Sequence, residues 1–123
     1  KSKLVKELQV SGAFHSELML TSTEELMVTL NATDFKNAEI PIYTNADAGA
    51  VQEKELIRNS LFRQLMSSVK WQGLIENMIR DLGISKFYEI GSGKVLTGLI
   101  KRIDPKVELF NIGTTEDLEN LNI

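Results

Sequence analysis

The sequence predicts an α/β protein with a largely parallel sheet, and three observations carry that expectation. Short runs rich in β-branched and aromatic residues, "IPIYTN", "KFYEI" and "KVELFNI", are separated by segments of helical periodicity. The glycine-rich "GSGK" leads straight from the second run into a helical pattern. No repeat, low-complexity tract or Pro/Gly/Ser linker divides the chain, so residues 1–123 read as a single segment. Strands joined through helices cross over right-handedly.

The elements follow in order. "KSKLVKEL" opens the chain without an initiator Met, and Leu4, Val5 and Leu8 have helical spacing. Residues 1–9 therefore read as the end of an element arriving from an upstream part, and the chain as a piece of something longer. "SELMLTSTEELMVTLNAT" is helical, with Leu18, Leu26, Met27 and Leu30 on one stripe. A break is expected near Thr21 to Thr23, where Ser22 and Glu25 have capping-box spacing. "IPIYTN" (40–45) is a short strand entered through Pro41, and "ADAGA" is a loop. "QEKELIRNSLFRQLM" is a helix with Ile57, Leu61 and Leu65 four apart. "KWQGLIENMIRDLG" is the clearest helix. Trp71, Leu74, Ile75, Met78, Ile79 and Leu82 share a face, and Gly83 is suited to end it. "KFYEI" is a strand. In the helix after it, Val95, Leu96, Leu99, Ile100 and Ile103 form the expected buried side. "KVELFNI" is a strand, and "TTEDLENLNI" a last short helix with Thr114 and Asp117 in capping positions.

Composition narrows the function. A chain of 123 residues can bury roughly two-thirds of its unfolded surface, enough for a core. The net charge of −3, with signs interspersed, gives no electrostatic case for nucleic acid or an acidic membrane. With no cysteine, disulfides, thiolate chemistry and Cys-based zinc sites are excluded within the chain. No apolar run approaches the ~20 residues of a bilayer span, and no signal peptide is evident. A cytoplasmic protein is the expectation. With one His and scattered carboxylates, no metal site is expected.

Two stretches invite a functional reading. "EIGSGKV" follows a strand and opens a helix, where backbone N–H groups could hold an anion. It is not a P-loop, because Tyr88 stands where the first Gly belongs and Val95 follows Lys94. It is not a dinucleotide fingerprint, because Leu96 replaces the third Gly. A tight strand-to-helix turn is the simpler reading. "VSGAFHSELM" holds His15, the sole histidine. Beside Ala13 and Phe14 it is either a packed, hydrogen-bonded side chain or a general base.

Four ordered stretches bear on that choice: "VSGAFHSELM", "IPIYTNADA", "IRNSLFRQLMSSVKW" and "FYEIGSGKVLTGLIKRI". Together they strongly resemble the C-terminal part of malonyl-CoA:acyl-carrier-protein transacylases and the related acyltransferase domains of fatty acid and polyketide synthases. The resemblance runs over residues 10–103, roughly three-quarters of the chain. One departure is Ser92, where the family commonly has Pro.

The resemblance implies the fold, the C-terminal part of an α/β-hydrolase-like acyltransferase large subdomain with a mostly parallel sheet flanked by helices. It implies a two-step transfer: a serine in Gly-x-Ser-x-Gly takes malonyl from malonyl-CoA, and the pantetheine thiol of acyl carrier protein carries it away, supplying extender units for fatty acid synthesis. It makes His15 the general base, held by a main-chain carbonyl at Gln64 in place of an aspartate. It places Phe14 beside the acyl group, where a ring disfavours an extra methyl, and Asn45 as a pocket residue. No cofactor is expected, since malonyl-CoA and the carrier's phosphopantetheine are substrates.

The chain contains no Gly-x-Ser-x-Gly, and neither Arg58 nor Arg63 lies in the motif of the family's malonyl-binding arginine. The expectation is that the nucleophile lies in an N-terminal part of the same enzyme, so this chain alone is inactive. Two rivals stand beside the enzyme. One is a non-catalytic or structural module of the same fold that docks acyl carrier protein through Arg63, Lys70, Lys101 and Arg102. The other is an unrelated α/β domain with a structural His15.

Overall fold

The structure, a computed structural model, describes residues 12–121. The helix read at the start of the chain lies outside them. In chain order the elements are a 3-10 helix (Glu17–Ser22), α1 (Thr23–Ala32), β1 (Ile42–Tyr43), β2 (Ala50–Val51), α2 (Lys54–Gln64), α3 (Trp71–Leu82), β3 (Lys86–Ile90), α4 (Val95–Ile103), β4 (Glu108–Ile112) and α5 (Thr115–Glu119). The chain divides into two compact units. One comprises residues up to Ile42 together with Val51–Val69, and the other Tyr43–Ala50 with the chain from Lys70 onward.

In the first unit α1 packs on α2. The expected break at Thr21 to Thr23 is the junction between the 3-10 helix and α1. The Ser22–Glu25 capping box does not form. Ser22 ends the 3-10 helix in the right-handed helical region rather than the extended one a cap needs, so its hydroxyl caps nothing. The neighbouring Thr23 is buried instead and donates to Leu20 O at 2.5 Å. Leu30 is buried as its stripe predicts, whereas Leu18 is exposed, because the 3-10 helix has a different period from α1. In α2 the small Ser60 is buried while Leu61 is exposed.

The second unit is built on a parallel pair, β3 and β4, in the register Lys86↔Glu108 to Ile90↔Ile112. α4 is their crossover. Side chains alternate across this ribbon. Phe87 and Leu109, on one face, pack against Leu74, Ile75, Ile100 and Val107, the centre of the core. Ile75 is 2 % exposed. Tyr88 and Phe110, on the other face, stack with ring centroids 4.9 Å apart.

α3 is as its sequence predicts. Leu74 and Ile75 are buried, and Trp71, Met78 and Ile79 pack against the core. Gly83 ends it at φ 64°, its N–H bonded to Ile79 O at 3.0 Å. Thr114 and Asp117 form the expected capping box of α5. Two expectations need correction. The strand read over 40–45 is only Ile42–Tyr43, because from Thr44 the chain turns into a loop closed by Thr44 N–H to Gly49 O and Ala48 N–H to Thr44 O. α4 buries Ile100 and half-buries Ile103, but Val95, Leu96 and Leu99 are exposed, Val95 at 70 %. The apolar residues of α4 form a single stripe, and among the described residues only its Ile100 and Ile103 side is packed.

Candidate active site

His15 stands in a tight turn and is, among the described residues, one of two non-glycine residues with positive φ, at 65°. That conformation costs an L-residue roughly 1–2 kcal/mol, although His visits it more readily than most. Three hydrogen bonds hold the turn. His15 N–H donates to Leu65 O at 3.0 Å. Ser16 Oγ donates to Ala13 O at 2.7 Å. His15 Nδ1 lies 2.9 Å from Gln64 O.

The last of these decides the chemistry of the ring. A carbonyl only accepts, so Nδ1 carries a proton, and in the neutral ring it is Nε2 that holds the lone pair, the tautomer of a base. The acceptors come from the end of α2. Gln64 is its last residue, and the final carbonyls of a helix have no intrahelical partner.

Phe14 is 54 % exposed, so it is not part of the core among the described residues. Its ring lies over Gly12, where an added Cβ would meet Phe14 Cε2 at 3.1 Å. Glycine at position 12 thus leaves room for the ring. His15, Phe14 and Gln64 come together in the first unit.

Asn45 belongs to the second unit. Its carbonyl accepts from Lys70 N–H at 3.0 Å, and its side-chain Oδ1 is buried without a partner among the described residues. It lines a cavity of about 270 Å³ with Trp71, whose Nε1 is likewise buried and unpartnered.

The "GSGK" stretch is the expected turn, with Gly91 at φ 134° and Gly93 at φ 100°. The anion-holding alternative has its donors already occupied. Glu89 accepts from Leu96 N–H at 3.1 Å and from Thr97 N–H at 2.7 Å, at the start of α4. Thr97 Oγ1 (2.8 Å) and Asn111 Nδ2 (3.0 Å) complete its shell. The Thr97 backbone N–H chiefly, helped by the Thr97 hydroxyl, Leu96 N–H and Asn111 against partial desolvation, holds the Glu89 carboxyl below the usual carboxylate range. Sequence reasoning missed this cluster; its signal is a Glu two residues before a glycine turn into a helix with no side-chain N-cap. Among the described residues no three His, Asp or Glu come together as metal ligands. No helix there is long and apolar enough to cross a membrane.

No family model matches the chain. Among curated proteins, it is 37 % identical over 121 residues to a malonyl CoA-acyl carrier protein transacylase of Synechocystis sp., covering 98 % of this chain and 41 % of the relative. To that of Staphylococcus aureus it is 40 % identical, covering 98 % and 39 %. To that of Bacillus subtilis it is 39 % identical, covering 91 % and 35 %. Among solved structures, the Synechocystis malonyl-CoA:ACP transacylase superposes with a TM-score of 0.90 at 37 % identity, over 98 % of this chain and 41 % of that one. A type II polyketide acyl carrier protein bound to its malonyl-transacylase gives 0.82 at 36 % identity, over 91 % and 36 %. The chain spans about two-fifths of the length of the relatives it matches.

Proposed function

In sequence and fold the chain is the counterpart of the C-terminal portion of malonyl-CoA:acyl-carrier-protein transacylases, and from that premise we propose that it supplies the base for malonyl transfer in fatty acid synthesis. The observation that carries this reading is His15 Nδ1 at 2.9 Å from Gln64 O, in a strained turn that leaves Nε2 as the basic nitrogen.

The nucleophile is a serine on an upstream polypeptide. His15 Nε2 takes the serine proton as the oxygen attacks the malonyl thioester. The tetrahedral adduct collapses, the C–S bond breaks, and the leaving coenzyme A thiolate takes the proton from the imidazolium. In the second half His15 removes the proton from the pantetheine thiol of acyl carrier protein. The thiolate attacks the serine ester, the C–O bond breaks, and the serine oxygen recovers the proton. Each half begins and ends with a neutral imidazole. Gln64 contributes its carbonyl and not its side chain. Phe14 narrows the space beside the acyl α-carbon; one methyl is worth about 1–3 kcal/mol in such a pocket, giving preference for malonyl rather than exclusion of its methyl homologue. Asn45 is a pocket residue.

Intact-mass labelling with malonyl-CoA tests the reading, with this chain alone and joined to its natural upstream polypeptide. The expected label falls on an upstream serine of the joined form and is lost with a Ser→Ala change there. Label on this chain alone defeats the reading, because it requires a nucleophile within 1–123. Label on neither form favours a carrier-binding module without chemistry.

A further inference from the structure

Ser16 stands where a helix cap is expected. It precedes the 3-10 helix Glu17–Ser22 with extended backbone (φ −140°, ψ 165°), and its carbonyl accepts from Met19 N–H at 3.1 Å. A serine so placed ordinarily turns its oxygen forward and accepts from an N–H of the first helical turn. Here the hydroxyl caps nothing. It turns back instead and donates to Ala13 O at 2.7 Å.

What the hydroxyl closes is the turn that carries the histidine. Phe14 and His15 are the central residues of Ala13–Ser16, and the second of them has φ 65°. A positive φ at that place is usually left to Gly or Asn. A residue with a Cβ stays there only where its surroundings outweigh the strain. Two bonds reach out of the turn to the end of α2: His15 N–H to Leu65 O at 3.0 Å, and His15 Nδ1 to Gln64 O at 2.9 Å. The N–H and the ring thus address neighbouring carbonyls, and φ is the torsion that sets the angle between N–H and side chain. At a negative φ the N–H could keep Leu65 O, but the ring would leave Gln64 O. The Ser16 bond acts from inside. It closes a ring of atoms through both central residues, so it restrains that torsion without help from α2.

We propose that Ser16 is a positioning residue for His15: its hydroxyl, donating to Ala13 O, holds the histidine at positive φ and keeps its ring on Gln64 O, in place of capping the helix. The inference rests on the reading of His15 as the base, and adds what sets the direction of its ring.

NMR of the joined polypeptide tests it, through the exchange of the His15 Nδ1 proton with water, its signal identified by its loss in His15→Ala. Ser16→Ala is expected to speed that exchange about three- to tenfold, the worth of one hydrogen bond in the closing of the turn. The kcat for malonyl transfer is expected to fall while KM for malonyl-CoA stays within twofold. Ser16→Thr keeps the hydroxyl and should restore both. Ser16→Asp caps a helix as well as serine does but cannot donate, and should do no better than Ser16→Ala. Exchange within twofold of the parent in Ser16→Ala overturns the proposal, and so does recovery of kcat and exchange in Ser16→Asp, because the hydroxyl is then a helix cap. A drop in kcat with unchanged Nδ1 exchange also overturns it, since Ser16 then acts by another route. Faster exchange in a polypeptide whose malonyl transfer survives His15→Ala keeps the hold of Ser16 on the turn and removes only the reading of His15 as the base.

Discussion

At the scale of single residues, His15 was visible as the lone histidine, but its geometry was not. The bond to Gln64 O joins residues 49 apart in sequence, and the left-handed backbone that aims the ring has no signature in "GAFHSE". Two substitutions separate the chemistry from the scaffold. In the joined, active polypeptide, His15→Ala is expected to lower malonyl transfer by at least about 10²-fold to 10⁴-fold, the usual worth of a positioned base. Gln64→Ala is expected to leave it within about threefold, because the carbonyl survives the change. A loss at Gln64 comparable to that at His15, measured by steady-state transfer, would assign the role to the amide side chain. Glu89 gives a pH prediction. Its folded pKa lies below the unfolded value, so its stabilisation is present above the usual carboxylate range and disappears as pH falls through the folded value. Glu89→Gln should therefore flatten the acid limb of the stability curve below about pH 4.5 in denaturant titrations. An unchanged limb means that Glu89 is not the group responsible.

At the scale of elements, local chemistry was most legible where it is self-contained. Gly83 and the Thr114–Asp117 box were placed from residue type and spacing alone, and both are as expected. An added Cβ at Gly83 would meet nothing within 4 Å, so only its backbone conformation matters. Gly83→Ala should cost about 1 kcal/mol in chemical denaturation, and Gly83→Asn less, because Asn tolerates the left-handed region. Equal costs would point to a steric cause instead. The Ser22–Glu25 box failed for a reason no spacing rule contains: a 3-10 helix running into α1 holds Ser22 in helical backbone. Spacing marks where a cap is possible, and the direction from which the chain arrives decides whether it forms.

At the scale of the whole molecule, the exposed apolar residues of α4 and β3 matter most. Val95 and Ile90 lie in the open here, Val95 on the apolar stripe of α4 and Ile90 on the face of β3 opposite Phe87. Val95→Asp and Ile90→Lys are expected to shift the stability of this chain by no more than about 0.5 kcal/mol, as surface changes do. In the joined polypeptide the same changes should cost more than about 2 kcal/mol, as buried charges do. Denaturant midpoints of the four proteins check the contrast, and equal small effects in both contexts would mean that these faces remain solvated.

The sequence by itself determined the alternation of strands and helices, the parallel sense of the pair, the end of α3, the cap of α5 and the glycine turn. Those features rest on periodicity and on backbone preferences read within a few residues. The four ordered stretches also pointed to the family. Tertiary structure alone decided the contact of His15 Nδ1 with a carbonyl at the C-terminus of α2, the occupation of α4's first N–H groups by Glu89, and the free edge of β3 among the described residues. Each of these joins groups distant in sequence or depends on which surfaces find a partner, and folding the chain is what brings such groups within reach.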